Sequence, residues 1–124
     1  MKILAVDDNE AHLYALGRIL ENAGHEVFAA STGAATLEIA GRELPQIVLL
    51  DINLPDMTGF EVCQRLKADA RTSRAAIIFH TATHATSVAR SQAESLGASS
   101  FLTYPINSEH LLSVIEGSAA RIRH

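Results

Sequence analysis

Five short apolar runs punctuate this chain: Ile3 to Val6, Val27 to Ala30, Ile47 to Leu50, Ala76 to Phe79 and Ser100 to Thr103. The central runs show no polar alternation, which marks strands buried on both faces of a parallel sheet. Between the runs, apolar residues recur with helical spacing. Leu13, Leu16 and Leu20 form one stripe, Phe60, Cys63 and Leu66 a second, and Leu111, Leu112 and Ile115 a third, each suited to packing a helix on the sheet. Weaker helices are expected over Thr32 to Ala40 and Thr86 to Leu96, the second rich in Ala and Ser and so the least firmly packed. Gly24, Gly41 and Gly97 fall near helix ends, where a left-handed residue is needed. Strand and helix in regular alternation predict a doubly wound α/β sheet with helices on both faces.

Composition limits what such a sheet can serve. With 124 residues, 48% of them hydrophobic, the chain has enough apolar surface for one core, and no linker or internal repeat divides it. One domain over residues 1–124 is expected. A net charge of -4 argues against a surface that neutralises nucleic-acid phosphates. Asp7 and Asp8 interrupt the apolar opening "MKILAV" well before the length of a signal-peptide core or a membrane span, so a cytoplasmic location with no membrane contact is expected. The single cysteine, Cys63, has no partner for a disulfide and belongs to no metal-ligand pattern, and reads as a small buried hydrophobe.

In a doubly wound sheet, ligands bind outside the carboxyl ends of the strands, where strand order reverses. The first strand ends in Asp7 and Asp8, the third in Asp51, the fourth in Thr81 and the fifth in Tyr104 and Pro105. Each carboxylate has a plain explanation taken alone: Asp8 as a helix cap, Asp51 as a residue that orders its loop. Capping does not explain three together, because like charges a few ångströms apart raise one another's pKa and strain the site unless a cation intervenes. A hard divalent ion with oxygen ligands resolves the conflict, and Mg²⁺ suits a site with few carboxylates and room for water and phosphate. A carboxylate beside Mg²⁺ can in turn attack phosphorus to form an aspartyl phosphate. Thr81 then stands where its hydroxyl can donate to a phosphate oxygen; the alternative is a strand-end threonine bonded to local backbone.

"AVDDNE", "IVLLDINLPDMTGFEVCQRLK", "HTA" and "GASSFLTYPI", in this order and spacing, resemble the receiver domain of two-component response regulators along essentially the whole chain. The resemblance implies a flavodoxin-like (βα)5 fold with strand order 2-1-3-4-5. It implies phosphorylation of Asp51 by the phosphohistidine of a sensor histidine kinase or phosphotransfer protein. It implies Mg²⁺ bound by Asp7, Asp8, Asp51 and the backbone carbonyl of Asn53. Thr81 matches the hydroxyl residue that moves toward the phosphate, and Phe101 the switch aromatic that turns with it. A domain of this kind is a phosphoacceptor and switch rather than a turnover enzyme.

One position departs from the family. Tyr104 stands where receivers normally carry a lysine, followed as here by proline, that pairs with the phosphorylated aspartate. A phenol donates a hydrogen bond but carries no positive charge at neutral pH, so Asp7, Asp8 and Asp51 lose a counterion. The expected results are a raised carboxylate pKa, a near-obligatory metal and an aspartyl phosphate coupled more weakly to Thr81 and Phe101. The tyrosine ring itself would fill the pocket or bond an acidic residue, holding one conformation irrespective of phosphate, or else point outward and leave the site to metal and solvent. It also keeps open a phosphorylation-independent pseudo-receiver.

His80 and His84 flank Thr81 and could replace the missing cation, but strand alternation turns His80 to the opposite face, and surface or packing positions are expected for both. His12, His25, His110 and His124 show no ligand spacing. The helix over Thr86 to Leu96, the fifth strand and the last helix form the surface receivers commonly use for partners or homodimers. The output would come from a downstream protein or a fused domain, and the N-terminal receiver of a hybrid histidine kinase fits equally well. A flavodoxin-type protein would need a Gly/Ser/Thr-rich phosphate loop where "DDNE" stands. A dehalogenase-like phosphatase would need D-x-D after the first strand.

Overall fold

A computed structural model describes residues 1–81, 86–103 and 106–122. Strands and helices alternate: β1 (Lys2–Val6), α1 (Glu10–Asn22), β2 (Glu26–Ala30), α2 (Gly33–Glu43), β3 (Ile47–Asp51), α3 (Gly59–Ala68), β4 (Ala76–Thr81), α4 (Ser87–Ser95), β5 (Ser100–Thr103) and α5 (Ser108–Ile122). All strands are parallel, in the order β2-β1-β3-β4-β5. This is the flavodoxin-like arrangement expected from the sequence. β3 and β4 are buried at every residue, as strands covered on both faces must be, whereas β2 at the sheet edge buries only Ala30 fully.

Alternating residues feed two cores. Leu4, Val6, Val48, Leu50, Ile77 and Phe79 pack with Val62, Cys63 and Leu66 of α3, Ala40 of α2 and Ala93 of α4. Ile3, Ile47, Leu49, Ile78 and Leu102 pack on the other face with Leu16 and Leu20 of α1 and Leu111 and Ile115 of α5. Cys63 is the buried hydrophobe the sequence predicted. Each strand-to-helix turn delivers a short polar side chain to the helix start. Asn9, Thr32, Thr58 and Thr86 accept from the third N–H of their helices, and Asn107 accepts from Glu109 and His110. Such caps are worth about 1 kcal/mol apiece.

The glycine expectation holds at two of its three positions. Gly24 (φ 92°) and Gly97 (φ 85°) follow α1 and α4 in the left-handed region. Gly41 instead lies inside α2, which continues to Glu43 and is closed by Leu44 at φ 51°. Pro45 explains the stop, because a proline cannot continue the helix. Gly41 makes space: a Cβ there would sit 3.3 Å from the Arg71 guanidinium, which is itself held by Asp69 at 2.8 Å.

Candidate functional site

β1 and β3 are neighbours, so the ends of two strands far apart in sequence meet. Ligand oxygens of Asp7, Asp8 and Asp51 lie within 4.8 Å of one another, with Asp7 and Asp51 buried and Asp8 exposed. Backbone groups orient the buried pair. Asp7 Oδ1 accepts from Asn9 N–H at 2.9 Å, and Asp51 Oδ1 accepts from Asn53 N–H at 3.0 Å. Asn53 is itself fixed by a bridge to Thr58 across the β3–α3 loop.

The cluster has the electrostatic character expected of crowded carboxylates. Burial pushes Asp51 up to about 7, against the Asn53 N–H, and the charges of Asp7 and Asp8 push the same way. A group this costly to ionise with two acidic neighbours is one that a hard cation stabilises, and the all-oxygen donor set suits Mg²⁺. The residues therefore fit the ion the sequence called for.

Two histidines that sequence reasoning gave no site role reach the cluster. His12 Nδ1 lies 3.4 Å from Asp7 Oδ2, and His80 Nδ1 lies 4.0 Å from the same oxygen. His80 is buried, with Nε2 bonded to the Val6 carbonyl at 2.8 Å. Burial pulls its pKa down while the Asp7 charge opposes. The predicted alternation is present, since Ile78 and Phe79 feed opposite cores, but the face His80 turns to is the one Asp7 occupies. His12 carried one usable signal, its place in the first turn of a helix capped by Asn9, two residues after Asp7.

Thr81 ends β4, buried and in register with Thr103 of β5. Two residues back along both strands, Phe79 pairs with Phe101. Phe101 is partly buried; its ring centroid lies 6.5 Å from that of Phe79, which stands edge-on to Phe60 at 5.2 Å. On its outer side the Arg90 guanidinium of α4 lies 4.9 Å from the ring centre. Tyr104, Pro105 and His84 lie outside the described residues.

The family model for the response regulator receiver domain matches residues 3–116. The chain belongs to the response regulator receiver family. It is accordingly a receiver of two-component phosphorelay signalling. It is 35% identical to protein PilH of Pseudomonas aeruginosa over 119 residues, 96% of this chain and 98% of that one. It is 42% identical to the response regulator PleD of Caulobacter vibrioides over 106 residues, 86% of this chain but 23% of PleD. The CheY-like receiver domain of Methanospirillum hungatei superposes with a TM-score of 0.91 at 30% identity, covering 98% of this chain and 95% of that one. Among the described residues, no helix is long and apolar enough to cross a membrane.

Proposed function

We propose that Asp51 is the phosphoacceptor. An Asp51 carboxylate oxygen attacks the phosphorus of a phosphohistidine on a sensor histidine kinase or phosphotransfer protein. The O–P bond forms as the N–P bond breaks, and the imidazole leaves with the electron pair and takes up a proton. The observation that carries this reading is the meeting of three carboxylates within 4.8 Å around an Asp51 pushed up to about 7. Near neutral pH such a group exchanges its proton for a cation readily.

Asp7, Asp8, Asp51 and the Asn53 carbonyl would hold Mg²⁺, which when bound neutralises charge on the transferring group. Asn53 N–H keeps one Asp51 oxygen oriented. The Thr81 hydroxyl would donate to a phosphoryl oxygen, and Phe101, two residues before Thr103 on the neighbouring strand, would turn in response. Tyr104 occupies the usual lysine position and supplies no cation to this step. The domain accepts a phosphoryl group and passes on a change of shape in place of turning over substrate. Its readers would be a downstream protein, a fused domain or a second copy of this chain on the face formed by α4, β5 and α5, in the cytoplasm.

The test is intact-protein mass spectrometry after incubation with acetyl phosphate, with and without Mg²⁺, beside Asp51→Ala. One added phosphoryl group that requires both the metal and Asp51 is the expected result. No adduct on a folded, Mg²⁺-binding protein would replace this reading with a phosphorylation-independent pseudo-receiver and put Tyr104→Lys next.

A further inference from the structure

The N-terminus of α2 is closed by a side chain from the loop that carries the acidic site. Asp56, in the β3–α3 loop, accepts from Gly33 N–H through Oδ1 at 2.7 Å and from Ala34 N–H through Oδ2 at 2.9 Å. These two bonds hold its carboxyl below the usual range. The first turn of α2 has no acidic residue of its own, so Asp56 supplies the negative charge that a helix N-terminus favours. The next residue joins the same contact. A Cβ at Gly33 would fall on Met57 Cγ, 2.7 Å from its Sδ, so the absence of a side chain at position 33 lets the loop lie directly on the helix.

From this anchor the loop runs back to the acidic site in a few bonds. Asn53 bridges Thr58, Gly59 N–H donates to the Ile52 carbonyl at 2.8 Å, and Asn53 N–H donates to Asp51 at 3.0 Å. We propose that Asp56 is a positioning residue: its two-pronged grip on α2 fixes the β3–α3 loop, and through it the Asn53 backbone and the Asp51 carboxylate, so that α2 and the acidic site are held as one unit. The effect on metal affinity rests on the reading of the acidic cluster as a Mg²⁺ site; the effect on the loop does not.

Thr32 supplies a control, because it caps the same helix through Ala35 N–H at 3.1 Å and makes no hydrogen bond to the loop among the described residues. Amide hydrogen exchange and Mg²⁺ titration, both followed by NMR, are compared in wild type, Asp56→Ala, Asp56→Asn and Thr32→Ala, with the Leu49 amide in the core reporting global stability. In Asp56→Ala the Asn53 and Gly59 amides exchange faster relative to Leu49, and Mg²⁺ binds about two- to tenfold more weakly, the scale of one lost hydrogen bond. Asp56→Asn, which keeps one acceptor, falls between. Thr32→Ala speeds exchange at Ala35 and leaves Asn53, Gly59 and Mg²⁺ affinity unchanged. Unaltered Asn53 and Gly59 exchange in Asp56→Ala overturns the proposal, as does an equal loss of Mg²⁺ affinity in Thr32→Ala. A wild-type protein that binds no Mg²⁺ would sink the metal-site reading, and the exchange data, which need no metal, would still decide the role of Asp56.

Discussion

His80 donates its Nε2–H to the Val6 carbonyl at 2.8 Å, and that bond leaves Nδ1 4.0 Å from the Asp7 carboxylate. The strands involved are not neighbours: β3 lies between β1 and β4, so the imidazole reaches across the end of β3. One buried ring thereby ties together the strand ends that carry Asp7, Asp51 and Thr81. His80→Ala would leave a cavity and remove the bond to the Val6 carbonyl, at a cost of about 2–4 kcal/mol. His80→Gln, which can still donate, would lose less. Urea unfolding checks this; an alanine variant within about 0.5 kcal/mol of wild type, the usual range of neutral surface changes, would refute it.

Asp51 predicts an unusual pH response. Its folded-state pKa of about 7 lies above the ordinary 3.8, so between these values the folded protein binds the proton more tightly than the unfolded chain does. Stability from this group is fully present below about pH 4 and is lost as pH rises through about 7. His80 acts in the opposite direction below its ordinary 6.5, so the useful quantity is the difference between wild type and Asp51→Asn. Without metal, the advantage of Asp51→Asn over wild type grows from pH 5 to pH 8, and saturating Mg²⁺ shrinks it. A pH-independent difference in thermal melts would contradict the raised pKa.

Two glycines should respond to alanine with opposite signs. A Cβ at Gly59 would fall on the Asp51 carbonyl oxygen and 2.9 Å from Ile52 Cα, both backbone atoms that cannot step aside. Gly59→Ala is expected to cost at least about 1–3 kcal/mol, as overpacking does, and to weaken Mg²⁺ binding by displacing Asp51. Gly117, inside α5, has nothing within 4 Å of that position. Gly117→Ala should add about 0.5–1 kcal/mol, the usual helix-interior difference. Denaturant midpoints of the two variants on opposite sides of wild type are the expected readout.

Arg90 sits over Phe101 at 4.9 Å, a cation–π contact at a partly exposed ring. Such a contact is worth about 0.5–1 kcal/mol. Arg90→Ala should therefore let the Phe101 ring leave its observed orientation more often, and Arg90→Lys should restore part of the restraint. Ring-current shifts of neighbouring methyl groups in NMR spectra report it. Identical shifts in the alanine variant and wild type would show that core packing holds the ring without Arg90.

Much of the fold is legible in the chain because the rule that writes it is local. Ile47 to Leu50 and Ala76 to Phe79 can be read as doubly buried strands from composition alone, and Thr32 and Thr86 open the two weaker helices expected after them, whereas the cap of α1 is Asn9 and not Asp8. Strand order is different: the apolar runs do not state it, and it followed from the family resemblance. The acidic cluster was legible because strand ends converge in any doubly wound sheet, so Asp7, Asp8 and Asp51 needed only the strand assignments. His12, His80 and Asp56 were not, since their roles depend on distances between elements rather than on spacing within one. Gly41 misled for the same reason, its task being to admit Arg71 from another segment.

Among the described helices the lightest anchoring belongs to α4, whose one fully buried residue is Ala93. An alanine gives up little apolar area when it moves, and the helix is otherwise largely polar and exposed. Displacing α4 is consequently cheap beside displacing α3, which sinks Val62, Cys63 and Leu66 into the same core. Moving α4 would therefore give up little burial, and the sheet beneath it would not have to change shape. Stiffness is unevenly distributed, and the compliant side is the one that carries Arg90 and faces Phe101.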